Sequence, residues 1–275
     1  MSEMTEVLRY AAFTTDPAGG NPAGVVLDAS SLDDEAMQAI AADVGYSETA
    51  FVTGKYQVRY FSPKAEVPFC GHATVATAVA LAERIGPGEL VFSTAAGIVP
   101  VVVDEGLRAT LTSVEPYVEE VRDVSEVLDI LGWRADQLDP AMPPAIAYAG
   151  ARHLVLSTST RQRLADLDYD FDRLLAYMLE RDLTTLQLVW RESATTFHVR
   201  DPFPVGGVVE DPATGAAAAA FGAYLRSRGI VQAPVTLTLH QGDDLGRPSE
   251  IQVELRTDDN RVRVSGNAVP IKEPG

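Results

Sequence analysis

The sequence is poor in cysteine, histidine and basic residues, and each shortage excludes a class of structure or function. Its 275 residues include one cysteine, Cys70, so the chain forms no internal disulfide. Because stable disulfides are typical of oxidising compartments, this shortage predicts a cytoplasmic protein. The first residues have neither the basic region nor the apolar run of a secretory signal, which favours the same compartment.

Basic side chains are outnumbered by acidic ones. Lysine and arginine together number 22 against 39 acidic residues, which gives a formal net charge of −17. Phosphate backbones and anionic membranes bind dense clusters of basic residues, and the sequence has no such cluster. It also has no run of 18 apolar residues that would span a bilayer. We therefore expect neither nucleic acid nor a membrane as a partner.

Local motifs for metals, nucleotides and hydrolytic nucleophiles are missing. The histidines His72, His153, His198 and His240 are scattered, and none has the spacing of a zinc motif. The chain has no nucleophile elbow, no P-loop and no dinucleotide fingerprint after a strand. The stretch GGNPAG (19–24) could hold a phosphate, but it leads into a β-branched run, which favours a turn before a strand. We expect no bound metal.

The patterns that are present predict a chain of strands interrupted by two alanine-rich helices. Alternating apolar residues and turn signals predict strands at the following positions: 7–14, 24–27, 49–53, 57–61, 90–93, 98–103, 108–112, 145–148, 153–157, 185–190, 195–199, 236–239, 251–255 and 261–265. Helical periodicity predicts helices at 33–44, 72–84, 165–181 and 214–228. The two halves therefore follow a similar order.

A shift of 141 residues without a gap tests this similarity as an internal repeat. It places Val58–Thr74 over Val199–Gly215, so that Cys70 falls on Asp211. In both halves a strand, a loop and a small-residue helix follow one another. This order predicts two similarly folded lobes related by a pseudo-twofold axis.

The starts of the two alanine-rich helices are candidates for binding an anion. Alanine on every face suits a helix surrounded by a curled sheet. The first N–H groups of a helix have no intrahelical acceptor, and Gly71 and Gly215 would let a carboxylate approach them. The alternative is that Asp211 is only an N-cap, with Pro212 as the first helical residue.

Five blocks of the sequence resemble one known family. The blocks are AFTTDPAGGNPAGVVLDA (12–29), GYSETAFV (45–52), VRYFSPKAEVPFCGHATVATA (58–78), VRDPFPVGGVVEDPATGAA (199–217) and QGDDLGRPSEIQV (241–253). In this order they are similar to the PhzF family of phenazine-biosynthesis-like proteins, within the wider diaminopimelate epimerase-like fold. They cover nearly the whole chain, but they do not identify a substrate.

The resemblance implies an α+β fold of two pseudo-symmetric lobes. Each lobe would be a curled, mostly antiparallel sheet wrapped around a central helix, with residues 1–116 in the N-terminal lobe and 117–275 in the C-terminal lobe. The last strand would be free to return to the first lobe. The family also implies an active site in the cleft between the lobes, no cofactor and a homodimer.

The same resemblance assigns site residues. The acid/base glutamate of the family falls on Glu48, and its two helper residues fall on His72 and Asp211. The substrate-binding positions match Ser47, Gly71, Gly215 and Ala216. Without the resemblance, Glu48 would be read as an ordinary solvated loop acid.

Positions 216 and 70 are compared with the family pattern and with the wider fold. The family pattern is D-P-A-T-G-S, but position 216 is alanine, which keeps the backbone N–H and lacks the serine hydroxyl. Racemases of the wider fold use two opposed cysteines, and this chain has only Cys70. We interpret Cys70 as a small buried packing residue.

The leading hypothesis is an isomerase that shifts a proton on a small carboxylate-bearing metabolite. Glu48 would remove the proton and return it, with His72 and Asp211 orienting the substrate. Two alternatives stay open: an epimerase or racemase acting at one α-carbon, and a catalytically weak module of the same fold that binds a ligand or a partner.

Overall fold

A computed structural model describes residues 5–272 of the chain. It divides into unit 1 (Met1–Thr112 and Ser265–Gly275) and unit 2 (Ser113–Val264). The chain leaves unit 1 after Thr112 and returns to it at Ser265. Of the helices within the described residues, none has the length and apolar character needed to cross a membrane.

Unit 1 is a sheet that surrounds one long helix. Its strands are β1 (Leu8–Ala12), β2 (Asn21–Val26), β3 (Thr49–Gly54), β4 (Gln57–Phe61), β5 (Glu66–Val67), β6 (Gly88–Thr94), β7 (Gly97–Val103) and β8 (Arg108–Thr112). Its helices are α1 (Asp34–Val44) and α2 (Gly71–Ile85).

The strand pairings of unit 1 form a ring once the final strand of the chain is included. Neighbouring strands pair in the order β1, β2, β3, β4, β6, β7, β8. The pairs β2–β3 and β4–β6 are parallel, and the other pairs in this series are antiparallel. The final strand, Arg263–Pro270, pairs with both β1 and β8. Unit 1 is therefore completed by residues that follow all of unit 2.

Unit 2 has the same kind of architecture. Its strands are β9 (Tyr117–Glu120), β10 (Ala145–Tyr148), β11 (Arg152–Thr158), β12 (Thr185–Arg191), β13 (Thr196–Pro202), β14 (Glu210–Asp211), β15 (Val235–Gln241) and β16 (Ser249–Leu255). The final strand, Arg263–Pro270, which pairs with strands of unit 1, is called β17. Its helices are α3 (Ser125–Ile130), α4 (Arg161–Ala165), α5 (Phe171–Glu180) and α6 (Gly215–Ser227).

Alanine and glycine allow each central helix to be packed on all sides. Helix α2 contacts β1, β2, β3, β7 and β8, and α6 contacts β9, β10, β11, β12 and β16. In α6 a Cβ atom added at Gly222 would lie 2.6 Å from Val253 Cγ1, so the neighbouring strand leaves room for a glycine only. These contacts confirm the predicted α+β fold, in which a curled, mostly antiparallel sheet surrounds a central helix.

The two units share a supersecondary order around these helices. In unit 1, β5 pairs antiparallel with β4, α2 follows, and β6 then pairs parallel with β4. In unit 2, β14 pairs antiparallel with β13, α6 follows, and β15 pairs parallel with β13. The internal repeat is therefore a repeat of topology.

The gap-free alignment of the repeat is wrong beyond the first strand. The loop between β13 and β14 (203–209) is three residues longer than the loop between β4 and β5 (62–65). Gly71 and Gly215 are each the first residue of a central helix, so Cys70 corresponds to Thr214 and not to Asp211.

The helix predicted at 165–181 is confirmed over 171–180, where α5 lies, but α4 ends at Ala165 and residues 166–170 are not helical. The segment between them is rich in aspartate, and Asp170 caps α5 by accepting a hydrogen bond from the backbone N–H of Arg173 at 3.0 Å. Aspartate stabilises helix starts better than helix interiors. Strands β5, β9 and β14 and helices α3 and α4 were not predicted.

Candidate functional site

Glu48 lies at the entrance to β3, where the preceding loop is fixed to the sheet. Helix α1 ends at Gly45, whose φ of 70° is left-handed. The carbonyl of Glu48 accepts a hydrogen bond from the N–H of Gly24 at 3.2 Å, which ties the residue to β2. The side chain of Glu48 is 16% exposed, so its carboxylate is largely withdrawn from water.

The start of α2 is held by its first turn. Cys70 is the N-cap residue, and its carbonyl accepts hydrogen bonds from the N–H of Thr74 at 3.0 Å and from the Thr74 hydroxyl at 2.6 Å. The same hydroxyl lies 2.7 Å from the buried hydroxyl of Tyr60. The positions of Cys70 and His72 are therefore set by the helix start and by β4.

The structure brings Glu48, His72 and Ser47 together, and it adds Cys70. Glu48 Oε2 lies 3.4 Å from His72 Nε2 and 3.5 Å from Cys70 Sγ. Cys70 Sγ lies 3.3 Å from His72 Nδ1, and Ser47 Oγ lies 3.4 Å from His72 Nε2. Cys70 is buried, as expected, but its thiol faces the acid and the imidazole and not only apolar neighbours.

Asn21 determines how the imidazole can share its proton. Its amide nitrogen lies 3.2 Å from His72 Nδ1, and an amide nitrogen is a donor only. Nδ1 is therefore the acceptor of the neutral ring, and Nε2 carries the proton. That proton points to the side where the Glu48 carboxylate lies. The stretch GGNPAG favours a turn before a strand, and nothing in this pattern indicates that Asn21 contacts His72.

Gly71 leaves open space at the first turn of α2. Among the described residues, and apart from its chain neighbours and the backbone of its own helix, no atom would lie within 4 Å of a Cβ atom at this position. The first intrahelical bond from the backbone is that from Thr74 to Cys70, so the N–H groups that precede Thr74 lie outside the helical ladder. These N–H groups carry the positive end of the helix dipole, which suits a carboxylate ligand.

The ligand types of this cluster are ones that bind a metal ion. The ligand atoms of Glu48, Cys70 and His72 all lie within 4.8 Å of one another, and zinc accepts such a donor set. However, the ring nitrogen that faces the carboxylate is the protonated one in the tautomer set by Asn21. The arrangement is accounted for as a hydrogen-bonded set, and the absence of a metal stays a prediction.

In unit 2, Asp211 lies on β14 and not at the helix start. The N-cap residue of α6 is Thr214 and the first helical residue is Gly215, so the alternative reading of Asp211 as N-cap with Pro212 in the helix is wrong. The Thr214 hydroxyl donates to Asp211 Oδ2 at 2.6 Å. Asp211 is buried, and Ala216 follows in the first turn of α6.

Gln241 fixes the geometry of this second cluster from β15. Its amide nitrogen donates to the carbonyl of Asp211 at 2.8 Å and contacts Thr214 Oγ1 at 3.0 Å. Its amide oxygen accepts from the N–H of Thr214 at 3.0 Å. Gln241 therefore joins β14 to the start of α6. Its polar position beside Gly242 in the block QGDD was the only signal in the sequence.

Nearly the whole chain matches one family model. The model described as phenazine biosynthesis-like protein matches residues 10–274. The chain belongs to the PhzC-PhzF family. This PhzF-family chain is an isomerase, as its relatives are named.

Two curated relatives of this PhzF-family protein are informative. A Deinococcus radiodurans protein named an uncharacterized isomerase is 36% identical, with 94% of this chain and 89% of the relative covered. The trans-2,3-dihydro-3-hydroxyanthranilate isomerase of Pseudomonas chlororaphis is 31% identical, with 94% of each chain covered.

Solved structures agree with the family assignment. A PhzF-family phenazine biosynthesis protein of Bacillus anthracis is 27% identical, with a TM-score of 0.86 and coverage of 97% of this chain and 98% of that one. A predicted epimerase of Pseudomonas aeruginosa is 26% identical, with a TM-score of 0.81 and coverage of 97% and 96%.

Proposed function

We propose that this isomerase moves a proton on a small, carboxylate-bearing metabolite without a cofactor, and that Glu48 is its acid/base residue. The observation that carries the proposal is the largely buried Glu48 carboxylate, whose Oε2 is faced by the imidazole of His72 and the thiol of Cys70. The two neighbouring donors orient the carboxylate, and a positioned carboxylate can exchange a proton with a substrate carbon.

The proton transfer can be written from these side chains. The Glu48 carboxylate takes a proton from a substrate carbon next to an activating group and becomes a neutral acid. The electron pair of the broken C–H bond shifts the substrate double bond, and Glu48 returns the proton to a different carbon. Because Glu48 has returned the proton, the cycle ends with an ionised carboxylate, as it began. The N–H of His72 stabilises this ionised form.

The substrate carboxylate is assigned to the start of α2. The open position at Gly71 allows an anion to reach the N–H groups of its first turn. Substrate-binding roles for Gly215 and Ala216, in the first turn of α6, stay predictions. In the same proposal Ser47 and His72 orient the substrate, and Asp211 is a second proton-handling acid. Since Ala216 lacks a hydroxyl, the substrate would differ from that of relatives with serine there.

The name of one relative supports a proposal for the substrate class. The Pseudomonas chlororaphis enzyme is named for its action on trans-2,3-dihydro-3-hydroxyanthranilate, which carries a carboxylate on a ring. We propose a small cyclic or amino-acid-like carboxylate for this chain. A cytoplasmic homodimer belongs to the same proposal, and light scattering measures its oligomeric state.

Solvent deuterium incorporation tests the role of Glu48. A panel of cyclic and amino-acid-like carboxylates is incubated with the protein in D₂O, and mass spectrometry reports exchange. Glu48→Gln should slow exchange by about 10²–10⁴-fold, the usual contribution of an acid/base residue. Glu89→Gln is the control, because Glu89 is an exposed acid on β6 of the same unit. If Glu48→Gln exchanges as fast as the control, the assignment is wrong.

An epimerase is the second candidate, favoured by the Pseudomonas aeruginosa structure described as a predicted epimerase. The two reactions differ in product, because an epimerase inverts one carbon and an isomerase of the first kind moves a double bond. Chiral chromatography of the product separates them. A ligand that raises the melting temperature but never exchanges would instead indicate a binding module.

A further inference from the structure

Two carboxyl groups of unit 2 face each other across neighbouring strands. Asp201 on β13 and Asp211 on β14 are direct partners in the antiparallel register. Asp201 has no exposed surface, and Asp211 is 7% exposed. Two ionised carboxylates at such close quarters in a low dielectric repel each other strongly. The network around them must therefore compensate.

The Asp201 carboxyl is surrounded by polar side chains from three other elements. With its amide nitrogen facing the carboxyl, Gln187 on β12 lies 2.7 Å from Oδ1 and 3.1 Å from Oδ2. The side chains of Thr214 and Gln241 also hydrogen-bond to Asp201. These partners come from β12, the start of α6 and β15, which explains how a polar group is accommodated in the core.

The hydrogen bonds that join Asp201, Thr214 and Asp211 need one proton more than two ionised carboxylates and a hydroxyl provide. The Thr214 hydroxyl has a single hydrogen, and at 2.6 Å from Asp211 Oδ2 it donates there. Its contact with Asp201 then needs a hydrogen supplied by Asp201. In the reverse arrangement Thr214 would donate to Asp201, and Asp211 would have to carry the proton. Either way, the two carboxyls share one proton.

The difference in burial indicates which of the two carboxyl groups holds the shared proton. Desolvation raises the pKa of Asp201 well above its usual value, and the charges of Asp211 and Glu210 raise it further. The hydrogen bonds from Thr214 and Gln241 lower the pKa, but burial outweighs them. Glu210 is itself held by Arg200, with Arg200 Nη2 and Glu210 Oε2 2.6 Å apart. The fully buried position thus favours the neutral acid on Asp201 and the carboxylate on Asp211.

We propose that Asp201 is a positioning residue that carries a proton at neutral pH and, through the Thr214 hydroxyl, keeps Asp211 ionised and oriented. This inference rests on the proposed function only in assuming that Asp211 handles a proton of the substrate. The protonation state itself is a property of unit 2, and it can be measured without a substrate.

Isotope-edited infrared spectroscopy measures that state in the full-length protein. With ¹³C-labelled aspartate, a protonated carboxyl gives a C=O stretching band that an ionised carboxylate lacks. At pH 7.5 the wild-type protein should show this band, Asp201→Asn should lose it, and Asp211→Asn should retain it. If the wild-type protein has no such band, or if Asp211→Asn is the variant that loses it, the proposal is overturned.

Folding of the variants is itself informative. Asparagine has the shape and neutral charge of a protonated aspartate, so Asp201→Asn should fold, and its failure to fold would contradict the proposal. Asp201→Val removes the polar group, leaves Gln187 and Gln241 without this partner, and should lower the melting temperature.

Once a substrate of the deuterium assay is known, the pH profile gives a functional readout. Asp201→Val should lose at least tenfold in exchange rate, and Asp201→Asn should restore most of it. The acid limb of the profile should stay at the same pH in Asp201→Asn, because no charge is removed. A limb displaced to lower pH would show that Asp201 is ionised in the wild-type protein and would overturn the inference. A substrate panel without any exchange would count against the proposed function only, since the infrared band is independent of it.

Discussion

The same arginine–glutamate pair joins two strands in each unit, but it is exposed in one unit and buried in the other. Arg59 on β4 binds Glu66 on β5 with two bonds of 2.8 and 2.7 Å. Arg200 on β13 binds Glu210 on β14 with two bonds of 2.9 and 2.6 Å. The side chains of the first pair are 30% and 37% exposed, and those of the second are 10% and 2% exposed. One motif has thus been placed in two dielectric environments.

The difference extends to the other polar groups of the two units. Among the acidic, basic and histidine side chains of unit 1 that the structure describes, His72 is the buried one, and it belongs to the candidate site. Unit 2 buries His153, Arg200, Asp201, Glu210 and Asp211. Unit 2 therefore depends much more on internal pairing of polar groups, and its stability should respond more strongly when a partner is removed.

The largest expected effect is the loss of Glu210. Glu210→Ala leaves the buried Arg200 guanidinium with the carbonyls of Leu164 and Ala165 and with the Asp244 carboxylate at 4.0 Å. It should lower the free energy of unfolding by about 3–5 kcal/mol. Glu66→Ala removes an exposed partner and should cost about 0.2–1 kcal/mol. Urea unfolding of both variants measures the difference.

A double variant separates the lost pair from the buried charge. Arg200→Met with Glu210→Leu removes both charges and should be less destabilised than Glu210→Ala alone. Equal effects of Glu210→Ala and Glu66→Ala would mean that burial does not distinguish the two pairs.

The next effect is an acid sensitivity caused by His153. Complete burial lowers the pKa of His153 to about 3, and its Nδ1 lies 2.8 Å from Thr185 Oγ1. The unfolded chain binds a proton below about pH 6.5, whereas the folded protein does not until about pH 3. The free energy of unfolding should therefore fall by about 1.4 kcal/mol per pH unit as the pH drops through this window.

His153→Gln tests this slope, because glutamine does not titrate and retains a donor for Thr185. The stability difference between wild type and His153→Gln should change with pH between 6.5 and 4. Thr185→Val is the control, since it keeps the histidine and should keep the slope. Parallel pH curves for wild type and His153→Gln would refute the assignment.

The smallest effect should be the same in both units. Asp33 Oδ1 accepts the N–H of Ala36 at 2.9 Å at the start of α1, and Asp170 Oδ1 accepts the N–H of Arg173 at 3.0 Å at the start of α5. Both caps are exposed, so Asp33→Ala and Asp170→Ala should each cost about 1 kcal/mol. The Asp→Asn variants keep a capping oxygen and should cost little. Clearly unequal alanine effects would show that the units differ by more than burial.

Much of the fold could be predicted because its signals are local. Alternating strands and the two alanine-rich helices follow from spacing within about ten residues. Strands β5 and β14 have only two residues, which is too short for any alternation to be visible. The aspartates between α4 and α5 were read as helix interior, although they are better suited to caps.

The site residues could be predicted only in part for a different reason. Glu48, His72 and Asp211 were identified by resemblance to a family. Asn21 and Asp201 were not, because their roles depend on partners far away in the chain, such as Gln187 and Gln241 for Asp201. A single sequence does not show which distant polar residues will be buried together.

The return of β17 to unit 1 has a consequence for biosynthesis. A ribosome completes all of unit 2 before it has made residues 265–270, which pair with β1 and β8. During translation the N-terminal unit therefore waits with the edges of β1 and β8 unpaired, whereas the segment that forms unit 2 can already fold. The order of folding would then be the reverse of the usual order, in which N-terminal domains fold first.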